Sequence, residues 1–159
     1  MKIVEGDLID LATRGYFDVI IHGCNCFCTM GRGIAKQIKL AFPEAFAADQ
    51  ATEFGDRNKL GAISVATVTR GPHRFSIVNA YTQHDFRGGG VLVDYVAVRS
   101  AMHLIAVKFA GKRLGYPRIG SGLAGGDWQI ISAIIDEELQ TQDHTMVKFS
   151  HVTRGIFTL

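Results

Sequence analysis

Between Val19 and Leu40 the chain reads VIIHGCNCFCTMGRGIAKQIKL, an apolar run that meets a glycine-rich turn and then a helical pattern. Val19, Ile20 and Ile21 are all β-branched and suit a short buried strand that stops at Gly23. Past Gly31 and Gly33, Ile34, Ile38 and Phe42 recur at helical spacing with Ala35 and Ala41 beside them, while Lys36 and Lys39 fall on the other side. A helix starting there carries unpaired backbone N–H groups and a partial positive charge, and the glycines let an anionic ligand approach the backbone closely. The turn is therefore a candidate phosphate cradle, with a plain strand-to-helix connection as the alternative. It is not a Walker loop, because Gly33 is followed by Ile34 and Ala35 and the magnesium-holding Ser or Thr is missing. Nor does it match a dinucleotide fingerprint: Lys36 stands where a third glycine belongs, and Glu53, at about the right distance for the acidic partner, lies in a polar helical stretch.

With 159 residues and 47% hydrophobic content, the chain is expected to form one domain over 1–159 with a core that needs no disulfides. Its three cysteines, Cys24, Cys26 and Cys28, alternate within the first loop. An odd count without distant partners points to a reducing compartment and to small thiols buried beside a ligand loop. The histidines are scattered without metal-site spacing, so neither a metal nor a cofactor is expected. A net charge of +2 does not argue for nucleic acid, and the local cluster Lys108, Lys112, Arg113 and Arg118 reads as the solvated C-terminus of a helix. Lys2, Glu5 and Asp7 do not suit a secretory leader, and no apolar run approaches the roughly 20 residues of a membrane span. The expectation is a soluble cytoplasmic protein without a membrane partner, most simply a monomer.

Met1–Val4 reads as a strand and Leu8, Ile9 and Leu11 as a helical turn. Asp7 between them has two uses, as a helix N-cap or as an acceptor for the amino group of a purine. Pro43–Phe54 continues as a second helix or a kinked extension of the first, ending near Gly55. Ala62–Thr69 and Phe75–Ala80 form a hairpin about Gly71-Pro72. The polar loop 81–90 follows, then a long helical pattern over Val91–Phe109, a short run Leu114–Ile119, the glycine-rich loop 120–126, and a helix over Asp127–Leu139. Met146–Phe149 is a late strand and Ile156–Leu159 a possible further one. Alternating strands and helices predict a three-layer α/β/α sandwich with a central mixed sheet. Ligands bind such sheets beyond the carboxyl ends of the strands, where loops 23–33, 81–90 and 120–126 would converge. Two of these loops can offer backbone N–H groups, which suits a pyrophosphate.

Together these pieces resemble a macrodomain, the ADP-ribose-binding module, over nearly the whole chain. The resemblance rests on Gly6-Asp7-Leu8, on His22-Gly23-Cys24-Asn25 with Met30-Gly31-Arg32-Gly33-Ile34-Ala35, and on Pro117-Arg118-Ile119-Gly120-Ser121-Gly122-Leu123 before Trp128, in that order and spacing. It implies ADP-ribose or a derivative as the small-molecule ligand, free or on a modified macromolecule. Asp7 would accept from the adenine amino group with the backbone of Leu8 assisting, and Phe149 would face the adenine ring or fill a core position. Ser121 to Gly125, including Gly122, Leu123 and Ala124 and preceded by Ile119 and Gly120, would wrap the diphosphate. Asn25 and the backbone of Gly31, Arg32 and Gly33 would surround the distal ribose, and Gly23, Cys24, Met30 and Ile34 would also belong to the ligand site.

HGCNC, GRGIA and IGSGL with GGDW look most like the branch that contains ADP-ribose 1″-phosphate phosphatases and glycohydrolases acting on modified protein or DNA. The hydrolases of that branch share a lysine after the fourth strand and an aspartate after the GL of the second loop. Here those regions read Thr82-Gln83-His84-Asp85 and Ala124. The departures count against lysine-dependent glycohydrolysis and favour a phosphatase, with a de-ADP-ribosylating hydrolase or a non-catalytic reader as alternatives. A phosphatase needs a group that attacks phosphorus or positions water, an acid for the leaving sugar oxygen, and N–H donors for the developing charge. Asn25 is the candidate for orienting the distal ribose, His84 for the acid and Asp85 for the nucleophile or base, with a solvated loop tip as the alternative for the last two. His22 reads as a buried, hydrogen-bonded histidine and Asp127 as a helix N-cap.

Overall fold

The β-branched run at the heart of the sequence becomes the heart of a sheet. In the computed structural model, which describes residues 1–151, the strands are β1 (Lys2–Gly6), β2 (Val19–Cys24), β3 (Ile63–Arg70), β4 (His73–Tyr81), β5 (Arg113–Tyr116) and β6 (Asp143–Phe149). They form a 6-stranded sheet in the order β1-β6-β5-β2-β4-β3, parallel except for the antiparallel β3–β4 hairpin. The helices are α1 (Leu8–Thr13), α2 (Gly33–Ala41), α3 (Pro43–Gln50), α4 (Tyr95–Lys108) and α5 (Trp128–Glu138), with a 3-10 turn at Arg57–Lys59. Side chains on a strand alternate between faces. Val19 and Ile21 accordingly pack with α4 and α5, whereas Ile20 packs with α1, α2 and α3 on the other face. The result is the expected three-layer α/β/α sandwich with a mixed sheet.

Several boundaries differ from the sequence reading for local reasons. Helix α4 begins at Tyr95 rather than Val91, because Asp94 caps it and the amides of Leu92 and Val93 are drawn to Ala124 O instead. Non-helical backbone at Phe42 breaks the second helical stretch, so Pro43 starts α3 as its first residue. That helix ends at Gln50, short of Phe54. Strand β5 stops at Tyr116, since Pro117 has no N–H to give a ladder. The basic cluster is dispersed: only Lys108 lies in the last turn of a helix, Arg113 pairs with Asp18 across two contacts of 2.9 and 3.1 Å, and Arg118 lies over the Trp128 ring. The stretch Ile156–Leu159 lies outside the described residues. Among the described residues no helix is long and apolar enough to cross a membrane.

The face of β2 that meets α3 carries a polar chain inside the apolar core. Buried His22 donates through Nε2 to Asn79 Oδ1 at 2.6 Å, and Asn79 Nδ2 donates to Ala45 O at 2.9 Å and Ser64 Oγ at 3.0 Å. With its ring surrounded by apolar groups, His22 is pushed down to about 4. The unfolded chain's histidine titrates near 6.5 and takes up a proton the native state refuses, so stability is complete above about pH 6.5 and falls as pH drops toward 4. Wild type should lose on the order of 3 kcal/mol through His22 over this window. His144, which burial also lowers, acts in the same direction. The check is therefore the difference between wild type and His22→Gln in urea unfolding at pH 7 and pH 4.5, with the variant showing the shallower loss.

Candidate functional site

Because β5, β2 and β4 are adjacent and parallel, their carboxyl ends leave the sheet at one edge. The loops that follow are tied together. Thr82 N donates to Cys24 O at 3.2 Å and Cys26 N to His84 O at 2.9 Å, joining the first loop to the second. Leu92 N donates to Ala124 O at 2.8 Å, joining the second to the third. The first and third meet at the lip, where a Cβ on Gly33 would stand 3.7 Å from Leu123 Cδ1. Glycine is required where the second and third loops touch: Gly125 has φ +68, and a Cβ there would lie 2.6 Å from Gly90 O.

Between them lies a cleft of about 430 Å³, within the size range of small-molecule sites. Its electrostatic character comes first from the backbone. Helices α1, α4 and α5 each have an aspartate accepting from first-turn amides, Asp7, Asp94 and Asp127 respectively. Helix α2 has no side-chain cap, and its N-cap residue is Arg32. Left-handed backbone at Cys28 (φ 52) and Met30 (φ 39) curls the first loop into that helix, at a cost of roughly 1–2 kcal/mol per residue. Among the described residues the amides of Gly33, Ile34 and Ala35 donate to no protein acceptor, and neither do those from Gly120 to Ala124. Two runs of free donors thus border one cleft, an arrangement that suits an anion at each. Arg32 and Arg118 add positive charge, and Asp49 is the one carboxylate on the lining among the described residues.

Asn25 is locked: Oδ1 accepts from Phe27 N at 2.8 Å while Nδ2 donates to Thr29 Oγ1 at 2.8 Å. Two buried side-chain oxygens on the lining, Asp49 Oδ2 and Thr82 Oγ1, have no hydrogen-bond partner, and they are the only such atoms among the described residues. An orphaned buried acceptor costs roughly 1–3 kcal/mol, so two in one cleft make it the candidate binding site.

The structure brings together Gly23, Cys24, Asn25, Met30, Gly31, Arg32, Gly33, Ile34, Ile119, Gly120, Gly122, Leu123 and Ala124 on this lining. Ser121 and Gly125 lie in the same loop but off the lining: Ser121 Oγ donates to Arg118 O, and Gly125 N closes a turn onto Gly122 O. Asp7 caps α1 through Oδ1, at 2.8 Å from Ile9 N and 3.1 Å from Asp10 N, with Leu8 buried behind it. Phe149 is 62% exposed rather than a core residue, and it lies beside Gly6 in the β1–β6 register. These last residues sit at the same sheet edge, Asp7 and Leu8 after β1, two strands from β5, and Phe149 at the end of β6, next to β5. The structure does not place His84 and Asp85 on the lining. His84 Nε2 donates to Gly55 O at 2.9 Å and its ring packs on Phe27, while Asp85 takes both arms of Arg87 at 3.0 Å each. Hydrogen bonds from Arg87 hold the Asp85 carboxyl well below its usual range.

Sequence reasoning missed Asp49, Thr82, Gln83, Phe86 and Thr29 as lining residues. Thr29 and the segment 82–86 lie in loops the sequence singles out. Asp49, inside α3, carries no local signal.

No family model matches the chain. A protein of phage T4, the uncharacterized 17.5 kDa protein of the tk-vs intergenic region, is 39% identical over 142 residues, covering 86% of this chain and 88% of that one. Among solved structures, the macrodomain of Mycobacterium tuberculosis DarG superposes with a TM-score of 0.71 at 20% identity, covering 92% of this chain and 95% of its own. Thermosipho africanus DarTG in complex with ADP-ribose gives a TM-score of 0.72 at 16% identity, over 98% of this chain and 43% of that longer one.

Gly125→Ala should cost about 3 kcal/mol, from left-handed strain plus the collision with Gly90 O. Gly122→Ala, with nothing within 4 Å of its Cβ, should stay within about 1 kcal/mol of wild type. Thermal unfolding of the two variants side by side checks both.

Proposed function

We propose that the chain is a macrodomain whose cleft binds ADP-ribose and hydrolyses ADP-ribose 1″-phosphate to ADP-ribose and inorganic phosphate; its fold matches those of solved macrodomains. The observation that carries this reading is the pair of free-amide runs bordering one cleft. The run from Gly120 to Ala124 takes the diphosphate, and the uncapped start of α2 with Arg32 takes the phosphate on the distal ribose. Asp7 reaches the adenine amino group with Oδ2, since Oδ1 is engaged in capping α1. Phe149, exposed beside it, offers a ring face to the base.

Hydrolysis of the monoester forms a bond from a water oxygen to phosphorus and breaks the bond from phosphorus to the sugar oxygen, which leaves as a hydroxyl after taking a proton. The charge that develops sits on the phosphoryl oxygens, so positioned donors do most of the work. Donors of this kind are the amides of Gly33, Ile34 and Ala35, while Asn25, immobilised by Phe27 N and Thr29, orients the ribose.

A non-catalytic ADP-ribose reader is the second reading. One observation favours it: His84 and Asp85, the residues suited to acid and base roles, are bonded to Gly55 and Arg87 and do not line the cleft.

Phosphate release from ADP-ribose 1″-phosphate separates the two. Wild type should turn the substrate over, Asn25→Ala should lower kcat/KM by about 100-fold, and His84→Ala should keep most of the turnover. Tight ADP-ribose binding without turnover selects the reader. In calorimetry Gly33→Glu, which fills the gap to Leu123, should abolish ADP-ribose binding. Asp7→Ala should weaken it about tenfold, beyond the loss of roughly 1 kcal/mol in helix capping seen in unfolding.

A further inference from the structure

Asp49 is the least expected residue on the cleft lining. It lies in α3, is 0% exposed, and lines the cleft together with Cys24, Asn25 and Thr29 of the first loop. Its backbone carbonyl accepts from Cys28 Sγ at 3.3 Å and Thr52 Oγ1 at 2.6 Å, which fixes α3 against that loop. One carboxylate oxygen, Oδ1, accepts from Tyr81 Oη at 2.8 Å; the other, Oδ2, is buried without a partner.

The carboxylate is oriented from behind by hydrogen bonds that all run one way. His22 donates to Asn79, Asn79 to Ser64, Ser64 Oγ to Tyr81 Oη at 2.9 Å, and Tyr81 to Asp49. Every donor in the chain is spent, so Asp49 ends it as an acceptor and its second oxygen still requires a donor. Lys59 does not supply one. Its ammonium bonds to Cys26 O at 3.0 Å and lies over the Tyr81 ring. Burial raises the Asp49 carboxyl above its ordinary range, and the Tyr81 hydrogen bond and then the Lys59 charge act the other way.

A lone carboxylate is out of place in a cleft otherwise bordered by free amides and two arginines, because it repels the anions they attract. It is compatible there with a ligand group that is uncharged and carries a donor. On a sugar phosphate that group is a sugar hydroxyl. We propose that Asp49 is a specificity-determining residue whose Oδ2 accepts a hydrogen bond from a hydroxyl of the distal ribose. It thereby sets which part of the ligand lies under Asn25 and which faces the start of α2. The assignment rests on the reading of the cleft as an ADP-ribose site. It distinguishes a ligand that carries a distal sugar from one, such as ADP, that does not.

The test compares ADP-ribose with ADP, which lacks the distal sugar, by calorimetry on wild type, Asp49→Leu and Asp49→Asn. Asp49→Leu should weaken ADP-ribose binding roughly 30-fold, the range of a bond to a charged group, while ADP affinity stays within about threefold. Asp49→Asn retains an acceptor for Tyr81 and keeps the fold where the leucine variant does not. Its loss should be about tenfold, again confined to ADP-ribose. A merely structural role would weaken both ligands together, and an unchanged ratio of the two affinities in both variants overturns the assignment. Failure of wild type to bind ADP-ribose overturns instead the reading of the cleft, so the two failures are told apart.

Discussion

The parallel pairing of β2 with β4 on one side and β5 on the other is the constraint on which the rest depends. Parallel neighbours finish at the same edge, so the loops after Cys24, Tyr81 and Tyr116 emerge side by side. Burial on both faces explains why β2 can hold this place: Val19, Ile20 and Ile21 are at most 1% exposed, and each face meets its own layer of helices. The loops then satisfy part of their backbone on one another, as Cys26 N does on His84 O and Leu92 N on Ala124 O. What they leave unsatisfied defines the cleft.

That division of hydrogen bonds gives the site its chemistry. Helices α1, α4 and α5 start on a capping aspartate, and α3 starts on Pro43, which has no N–H to satisfy. At α2 the cap is withheld, the loop before it adopts left-handed backbone at Cys28 and Met30, and Arg32 lies where an acid would otherwise serve. Strain and unmet donors are both costs to folding, and their coincidence at one cleft is what a ligand site looks like energetically. The proposed ligand would supply the missing acceptors at its phosphates and the missing donor, facing Asp49, at its sugar.

Beneath the first loop the three thiols serve packing. Burial, with the nearby Asp49 charge, pushes the Cys24 thiol up well above its ordinary range, so it stays a neutral space-filler, and Cys26 shifts the same way. Lys59 braces this layer, holding Cys26 O at 3.0 Å and standing 3.6 Å from Cys28 Sγ. A buried ammonium with these partners does for the first loop what a disulfide might do elsewhere, without a covalent bond.

Much of this was legible in the chain alone. The strand, turn and helix from Val19 to Ala41, the hairpin about Gly71, the caps at Asp7 and Asp127, and the three loops that line the cleft all follow from periodicity, turn residues and capping. These act over a few neighbouring residues and so leave a mark in the local sequence. What only the tertiary structure decided involves partners far apart in the chain. His84 is drawn away by Gly55, 29 residues before it, and Asp49 is aimed by Tyr81, 32 residues after it. Val91 to Asp94 has the apolar pattern of a helix but is held extended, because Leu92 and Val93 meet Ala124. Arg113 and Arg118, close in sequence, part company once one finds Asp18 and the other Trp128. Propensity determines which elements form; which side chain reaches the cleft depends on the competition among distant hydrogen-bond partners, and that competition exists only once the chain is folded.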